Sequence, residues 1–122
     1  MAARFRDPFA ILAVGDMDRS LRFYRDLLGF AVTYAFPATG APMFVSLDLD
    51  GGKLALGAGD APVERPSTAI WLYVDDVDAA LTELRAADVP VVAEPTDQPW
   101  GERVASVADP DGHVVHLGAT AA

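Results

Sequence analysis

The two histidines of this chain are its best candidates for acid–base chemistry or metal binding, and both lie in the stretch Thr96–Gly118. An imidazole can act as a general base, donate a hydrogen bond to a ligand, or lie buried against a neighbouring polar group. A general base needs a positioned partner and a substrate, and the sequence offers His116 no identifiable carboxylate partner. Catalysis is therefore the least favoured of the three roles for His116, and the other two stay open.

The sequence also places two carboxylates beside the histidines, in Asp109-Pro110-Asp111-Gly112. A pair of aspartates can bind a metal, but this pattern is far more typical of a turn, because Pro fixes φ and Gly takes a left-handed conformation. We expect a hairpin that joins the strands Val104–Ala108 and Val114–Leu117. Alternation along the second strand turns His116 inward and His113 outward, where we expect His113 to be solvated.

Composition excludes several classes of function. With nine basic and eighteen acidic residues the net charge is −9, which argues against nucleic acid or an anionic membrane surface as a partner. The chain has no cysteine, so disulfides and thiolate catalysis are excluded. No stretch approaches the ~20 apolar residues that span a bilayer. We expect a cytoplasmic protein.

The elements follow one order twice. In the first half, an almost wholly apolar strand predicted to be buried on both faces precedes a helix with Asp18 as its N-cap and Gly29 as its left-handed C-terminal residue. The predicted elements of this half are the strand Phe9–Val14, the helix Arg19–Leu28, and the strands Phe30–Phe36, Met43–Leu49 and Lys53–Gly57. The glycines of Asp50-Gly51-Gly52 are expected to supply positive φ in a hairpin.

After a linker over Gly57–Pro66 the order repeats. The predicted elements are the strand Ala69–Val74, the helix Asp76–Ala87, the strand Val89–Ala93, a loop over Glu94–Gly101 and the closing hairpin. An offset of 60 residues aligns the two halves with their capping aspartates in register, which indicates an internal duplication. The sequence therefore predicts an α+β fold of two tandem βαβββ modules, with helices outside curved mixed sheets and a cleft inside.

Strand alternation predicts which aromatic residues face that cleft. Trp71 and Tyr73 share one face of their strand, opposite an aliphatic set that suits the helix, although ordinary core packing is nearly as good an explanation. Trp100 in its Pro-Gly corner is either a wall of the cleft or a plug packed on its own sheet. Phe36 and Phe44 flank the Pro37–Pro42 loop, as a lid or as the anchor of the loop.

With these residues in view, the chain resembles the vicinal oxygen chelate superfamily, which groups glyoxalase I, extradiol dioxygenases, fosfomycin-resistance enzymes and bleomycin-resistance proteins. Three segments carry the resemblance: Leu12–Phe30, Tyr73–Val91 and Gln98–Leu117. The resemblance implies a single domain over residues 1–122, with modules at about 7–59 and 67–119.

Enzymes of that superfamily hold a divalent metal with one residue from each of four strands. Carried over to this sequence, the four positions are Phe9, Ala55, Ala69 and His116. Three of these side chains have no lone pair to offer, and a lone imidazole cannot hold a catalytic metal, which needs about three protein ligands. We therefore expect no metal and no cofactor.

Among members without a metal, the chain is most similar to bleomycin-resistance proteins, in the strand with Trp71, the corner with Trp100 and the ending after His113. This resemblance implies a homodimer, with a possible exchange of the N-terminal strand, that sequesters a bleomycin-like or other planar, basic natural product. The ligand-binding residues expected are Phe9, Tyr34, Phe36, Phe44, Trp71, Tyr73, Trp100 and His116. Two alternatives stay open: a diverged metal-dependent glyoxalase-like lyase or dioxygenase, and a regulatory module with a vestigial cleft.

Overall fold

The computed structural model describes residues 6–59 and 68–121, and each of these two ranges belongs to a compact unit of its own. Each unit has a strand, a helix and three further strands, so the predicted α+β fold of two βαβββ modules is confirmed. The first unit contains β1 Ala10–Val14, α1 Met17–Leu21, β2 Ala31–Phe36, β3 Phe44–Leu49 and β4 Gly52–Ala58. The second contains β5 Ala69–Tyr73, α2 Val77–Ala86, β6 Val91–Asp97, β7 Glu102–Ala108 and β8 Val114–Thr120.

The two sheets have the same topology. Their strand orders are β1-β4-β3-β2 and β5-β8-β7-β6, and in each sheet the first strand pairs in parallel with the last strand of its unit. All other pairs are antiparallel. The registers also correspond, because Ile11 pairs with Ala55 in the first sheet and Trp71 pairs with His116 in the second. This correspondence supports the predicted duplication.

Both helices begin at an aspartate of the predicted motif, but the first cap is not the predicted one. Asp16, in an extended conformation with φ −140°, accepts from the backbone N–H of Arg19 at 3.2 Å. Asp76 does the same for Ala79 at 3.0 Å with φ −142°. The assignment of the cap to Asp18 is wrong, because the helix begins two residues earlier and Asp18 lies in its first turn.

The first helix also changes its winding. After α1 the helix continues as a π-helical segment over Arg22–Leu27. Gly29 follows the end of this helix, and its φ of +92° confirms the predicted left-handed residue. The backbone N–H of Phe30 donates to the carbonyl of Tyr24 at 3.0 Å and closes the end of the helix. The π-helical winding has no signature in the local hydrophobic spacing, so it was not predicted.

Each unit buries a core between its helix and one face of its sheet. In the first unit this core includes Leu12, Val14, Tyr24, Leu47 and Leu56, and in the second it includes Val77, Leu81, Val107, Val115 and Leu117. Burying each of the leucine and valine side chains among them contributes about 1.5–3 kcal/mol. The sheet face turned away from the helix of its own unit is called the open face below.

Two burial predictions are wrong for the same reason. The strand Phe9–Val14 was expected to be buried on both faces, but only Leu12 and Val14 are buried, and Ile11 on the open face is 57% exposed. His113 was expected to be solvated, yet it is only 3% exposed. It precedes β8 with the parity of Val115, and that face of β8 packs against α2. In both cases the helix side of the sheet is the covered side.

The turns follow the predicted chemistry with small shifts. At the β3–β4 hairpin, Asp50 with φ +50° and Gly51 with φ +83° take the two positive φ values, whereas Gly52 already pairs with Leu49 as the first residue of β4. The prediction that both glycines have positive φ is therefore wrong for Gly52. Asp-Gly is a preferred pair for a two-residue hairpin turn.

The last part of the chain contains more strand than predicted. The segment expected to be a loop over Glu94–Gly101 belongs to β6 up to Asp97, so the connection to β7 is only four residues long. The predicted turn after β7 is confirmed, with Gly112 at φ +92° and the carboxylate of Asp109 accepting from two backbone N–H groups. Those donors are Asp111 at 2.9 Å and His113 at 2.8 Å.

Two further expectations concern the linker between the units and the length of the helices. The predicted linker over Gly57–Pro66 begins inside β4, and its residues 60–66 lie outside the described part of the chain. In the described ranges, 6–59 and 68–121, each helix is too short or too polar to cross a membrane.

Candidate functional site

An aromatic group lies on the open face of the second unit, where β5 pairs with β8. The ring centroid of Trp71 is 5.8 Å from that of His116 and 5.9 Å from that of Tyr73, with interplanar angles of 42° and 64°. Tyr73 is 73% exposed, and Trp71 is partly exposed. These three side chains, with Ser106 and Gly118 beneath them, are called the Trp71 cluster. The structure thus brings together three of the predicted ligand-binding residues.

Gly118 provides the space in which the Trp71 indole lies. A Cβ atom built on Gly118 would be 2.4 Å from Cζ2 and 2.9 Å from Cε2 of Trp71. The indole therefore packs against the backbone of β8, in space that a Cβ atom at position 118 would occupy. Gly118 has no positive φ, so the glycine is required for space and not for conformation. The available signal was a glycine inside a strand, which often marks a close approach of another group.

Ser106 fixes one nitrogen of the His116 ring. Ser106 Oγ lies 2.7 Å from His116 Nδ1, and the two residues are directly opposite each other in the β7–β8 ladder. Ser106 is buried, so this hydrogen bond holds the ring in place from the floor of the open face. Nε2 is then the ring nitrogen left for other contacts. Sequence reasoning missed Ser106, because a cross-strand partner becomes visible only when the register is known.

A groove of about 440 Å³ lies on the first unit. Phe9 and Tyr34, both predicted to bind ligand, are two of its lining residues, and each is about half exposed. The others are Asp7, Thr33, Ser46, Leu47, Lys53 and Leu54. This lining, called the N-terminal groove below, mixes aromatic and polar groups in a volume within the usual range for small-molecule sites.

Phe36 and Phe44 lie opposite each other at the end of the β2–β3 ladder. The pairing extends one step further, since the backbone N–H of Met43 donates to the carbonyl of Phe36 at 2.8 Å, and the bond from Phe36 to Pro37 is cis. The Phe44 ring contacts Tyr34 edge-on, with centroids 6.2 Å apart. Phe44 thereby braces a wall of the N-terminal groove, whereas Phe36 is exposed.

Trp100 lies at the tip of the β6–β7 hairpin. Its side chain is 62% exposed, and its Nε1–H donates to Oε1 of Glu102 at 2.7 Å. The alternative in which Trp100 is a plug packed on its own sheet is therefore wrong. The turn is closed by the backbone N–H of Gly101, which donates to the carbonyl of Gln98 at 3.0 Å.

An ion-pair cluster lies on the helix side of the same sheet. Arg103 donates through Nε and Nη2 to the carboxylate of Asp78, at 2.8 and 3.2 Å, and through Nη1 to Asp97 at 3.0 Å. The hydrogen bond from this guanidinium holds the pKa of Asp78 below its usual range, and the two carboxylates raise the pKa of Arg103. The cluster ties the first turn of α2 to the base of the β6–β7 hairpin.

The positions implied for a metal do not fit one. Phe9, Ala55 and Ala69 present no donor atom, which leaves His116 alone, and a catalytic divalent metal needs about three protein ligands. Within residues 6–59 and 68–121, the side chains of His, Asp and Glu form no group of three that could hold an ion. The donor set of this chain therefore does not support a step through a metal at these positions.

Comparison with known proteins agrees with this architecture. A family model described as the Glyoxalase/Bleomycin resistance protein/Dioxygenase superfamily matches residues 6–117. Two relatives named probable lactoylglutathione lyase, from Vibrio parahaemolyticus serotype O3:K6 and Vibrio cholerae serotype O1, are 29% identical over 122 residues and 28% identical over 117 residues. Each alignment covers 88% of this chain and 85% of the relative.

A solved structure is similar over nearly the same length. TioX from Micromonospora sp. ML1 is 26% identical and superposes with a TM-score of 0.78, covering 92% of this chain and 96% of TioX. The likeness therefore extends over both units and is not confined to one βαβββ module.

Proposed function

This chain belongs to the Glyoxalase/Bleomycin resistance protein/Dioxygenase superfamily, and from that premise we propose that it is a small-molecule-binding protein of the bleomycin-resistance type. It sequesters a planar or cationic natural product on its aromatic surfaces, and no bond of the ligand is made or broken. Protection of the cell from the natural product then depends on the affinity of the protein for it and on the concentration of the protein. The proposal includes a homodimer, which sedimentation of the purified protein tests.

The observation that carries the proposal is the Trp71 indole lying on Gly118. An aromatic residue that served only to fill a core would be enclosed on both ring faces, whereas Trp71 rests on the backbone of β8 and remains partly exposed beside a largely exposed Tyr73. Planar ligands stack on such rings, and cations bind over them with about 0.5–2 kcal/mol each. A large aromatic surface held open in this way favours ligand binding.

The His116 imidazole adds one polar contact to this surface. Ser106 engages Nδ1, so Nε2 is the nitrogen through which His116 contacts a ligand. Apolar sites commonly orient their ligand with a small number of fixed polar groups of this kind. We therefore assign His116 the role of orienting a ligand that stacks on Trp71.

Charge supports a basic ligand. The chain carries a net charge of −9, and a field of one sign raises the local concentration and the association rate of ligands with the opposite sign. This attraction is screened at a distance of about 8 Å in physiological salt, so it favours encounter and does not determine the fit.

The second candidate function is a diverged lyase. It is favoured by the names of the two Vibrio relatives, each a probable lactoylglutathione lyase. Against it stand Phe9, Ala55 and Ala69 at three of the four implied metal positions. Formation of lactoylglutathione by protein loaded with Zn²⁺ or Ni²⁺, together with metal that survives dialysis at near one ion per chain, would replace the binding proposal with this one.

Tryptophan fluorescence tests the binding proposal directly. Bleomycin, a planar acridine cation and a neutral planar analogue are titrated into the wild-type protein, the Trp71→Leu variant and the Trp100→Leu variant. We expect saturable quenching by the cations that the Trp71→Leu variant loses, with weaker binding confirmed by calorimetry. If none of the three probes gives quenching or heat with the folded wild-type protein, the proposal is wrong.

A further inference from the structure

The only lysine of the chain lines the N-terminal groove. Lys53 is the second residue of β4, and its side chain is 63% exposed. The other eight basic residues are arginines, and Lys53 is the basic residue among the eight that line the groove. In a chain with eighteen acidic residues, a cation placed in a groove of ligand size is a specific feature of the site.

Asp48 orients this ammonium group without fully neutralising it. The two residues are directly paired in the β3–β4 ladder, and Lys53 Nζ lies 3.8 Å from Asp48 Oδ2, which is too long for a hydrogen bond. The other oxygen, Oδ1, accepts from the backbone N–H of Gly51 at 3.1 Å and is committed to the hairpin turn. An incoming anion can therefore reach N–H donors of Lys53 that Asp48 does not hold.

The rest of the groove suits an aromatic ring. Phe9 directly precedes β1 and Tyr34 lies in β2. These are the two outer strands of the sheet order β1-β4-β3-β2, so their axes are about 14 Å apart at a spacing of about 4.8 Å per strand. The strands between them contribute Ser46 to the lining, a small residue that leaves space above the sheet. Phe44 braces Tyr34 from the side. A flat ligand can lie across the middle strands between these two walls.

Thr33 and Ser46 contribute hydroxyl groups to the lining of the groove. Thr33 Oγ1 donates to the backbone carbonyl of Ser46 at 3.3 Å, and both residues line the groove. Hydroxyls accept and donate, so they suit an acidic group and its substituents. The single opposing charge of the lining is Asp7, whose Oδ2 lies 3.7 Å from Nε of Arg6.

We propose that the N-terminal groove binds a planar aromatic acid through an ion pair between the carboxylate or phosphate of the ligand and Lys53. Phe9 and Tyr34 flank the ring, and Asp48 holds the ammonium in position. This inference rests in part on the proposed function, because Phe9, Tyr34 and Phe44 are also among the ligand-binding residues expected for it. Lys53 and Asp48 are not, and the Trp71 cluster belongs to the other unit.

Chemical protection of the single lysine is the first test. The wild-type protein is acetylated with an N-hydroxysuccinimide ester in the presence of 2-naphthoate, 2-naphthyl phosphate or the neutral 2-naphthamide, and peptide masses report Lys53 and the terminal amine separately. Saturating naphthoate or naphthyl phosphate should slow acetylation of Lys53 about fivefold or more, since a charge-assisted hydrogen bond occupies the ammonium. The terminal amine is the internal control and should react at an unchanged rate.

Charge variants give the second test, in opposite directions. Calorimetric affinity for 2-naphthoate should fall about five- to tenfold in Lys53→Met, a range that allows for the exposure of the pair. It should stay within about twofold in Lys53→Arg, which keeps the charge, and it should rise in Asp7→Asn, which removes the opposing charge. Circular dichroism confirms that each variant is folded, and the labelling of wild-type protein decides the matter if one is not.

The outcomes separate the possible sources of the acid. A preference for naphthyl phosphate over naphthoate identifies a phosphorylated ligand, and the reverse identifies a carboxylic acid. The inference is overturned if Lys53 is acetylated at the same rate with naphthamide as with the two acids, or if Lys53→Met binds naphthoate as tightly as wild type. Trp71→Leu should leave the protection of Lys53 unchanged, so a failure here and a failure of the proposed function are distinguishable.

Discussion

The indole of Trp71 lies so close to Gly118 that a Cβ atom on the glycine would be 2.4 Å from Cζ2 of the ring. The equivalent pair in the first unit is Ile11 and Gly57, where the added Cβ would be 3.4 Å from the isoleucine Cγ2, an ordinary packing distance. The same strand position is therefore a strict requirement for glycine in the second unit and a tolerant one in the first.

Gly118→Ala should displace the Trp71 ring and weaken the binding of a planar cation about tenfold or more. Forcing extra volume into a filled position costs about 1–3 kcal/mol, and the ring can avoid the clash only by leaving its place over β8. Fluorescence titration with bleomycin measures the affinity, and urea unfolding measures the stability. Gly57→Ala is the matched control and should keep both; equal loss in the two variants would contradict the role assigned to Gly118.

Ser106→Ala should release the His116 ring and lower the affinity for a ligand that His116 orients by about fivefold. The variant loses a buried hydrogen bond that contributes about 1 kcal/mol, and the imidazole becomes free to rotate. Nitrogen-15 shifts of the ring report the loss of the contact at Nδ1. Ser46→Ala, at the equivalent position opposite Ala55, should leave these shifts unaltered, and unaltered shifts in Ser106→Ala would show that the hydroxyl does not position the ring.

Asp78→Asn should make the stability of the protein less dependent on acid pH. The pKa of Asp78 is lowered in the folded state by its hydrogen bond with Arg103. A lowered folded pKa adds stability that is present above the unfolded pKa of about 3.9 and is lost as pH falls through the folded pKa. Wild type should therefore lose stability more steeply than the variant when urea unfolding is followed from pH 6 downward.

Asp18→Asn is the control for that experiment, because Asp18 corresponds to Asp78 under the 60-residue offset. In the described residues Asp18 forms no ion pair within 4.0 Å, whereas Asp78 pairs with Arg103. The pH dependence of the Asp18 variant should follow that of wild type. A flattening of equal size in both variants would assign the effect to net charge and not to the pair.

Removal of metal should change neither stability nor ligand binding. Three of the four implied positions have no donor atom, so dialysis against EDTA should leave the thermal midpoint unchanged. A bound ion would be readily detected, because a ligand held at 100 times its dissociation constant stabilises the folded protein by about 2.7 kcal/mol. Added Zn²⁺ should likewise give no specific stabilisation. A fall in the midpoint of wild type after dialysis, absent when His116→Ala is dialysed in the same way, would show that His116 holds an ion.

The parts of the fold that local pattern determines were predicted from the sequence. Alternation along β5 placed Trp71 and Tyr73 on one face, and the predicted helix Asp76–Ala87 matches α2 Val77–Ala86 to within one residue at each end. The burial of His113 was not predicted, because alternation separates two faces of a strand but does not say which one a helix covers.

Contacts between strands were beyond local pattern. Ser106 meets His116, and Gly118 admits the indole of Trp71, because β7, β8 and β5 are adjacent in a particular register. Register depends on all the strands of a sheet together. A glycine or serine in a strand therefore has no evident partner until the pairing is known. The 60-residue repeat was the one long-range signal in the sequence, and it aligned the two modules without giving the register of their strands.

The ion pairs of Arg103 also restrict the motion of Trp100, which lies in the turn of the same hairpin. Asp97 and Arg103 are a register pair that flanks the four-residue connection carrying Trp100, and Asp78 holds the same guanidinium from the helix. Both ends of that connection are thus fixed, and Glu102 holds the indole itself. A side chain that is ordered before its ligand arrives loses less conformational entropy on binding. Trp100 is in this sense preorganised, in part by ion pairs made on the helix side of its sheet.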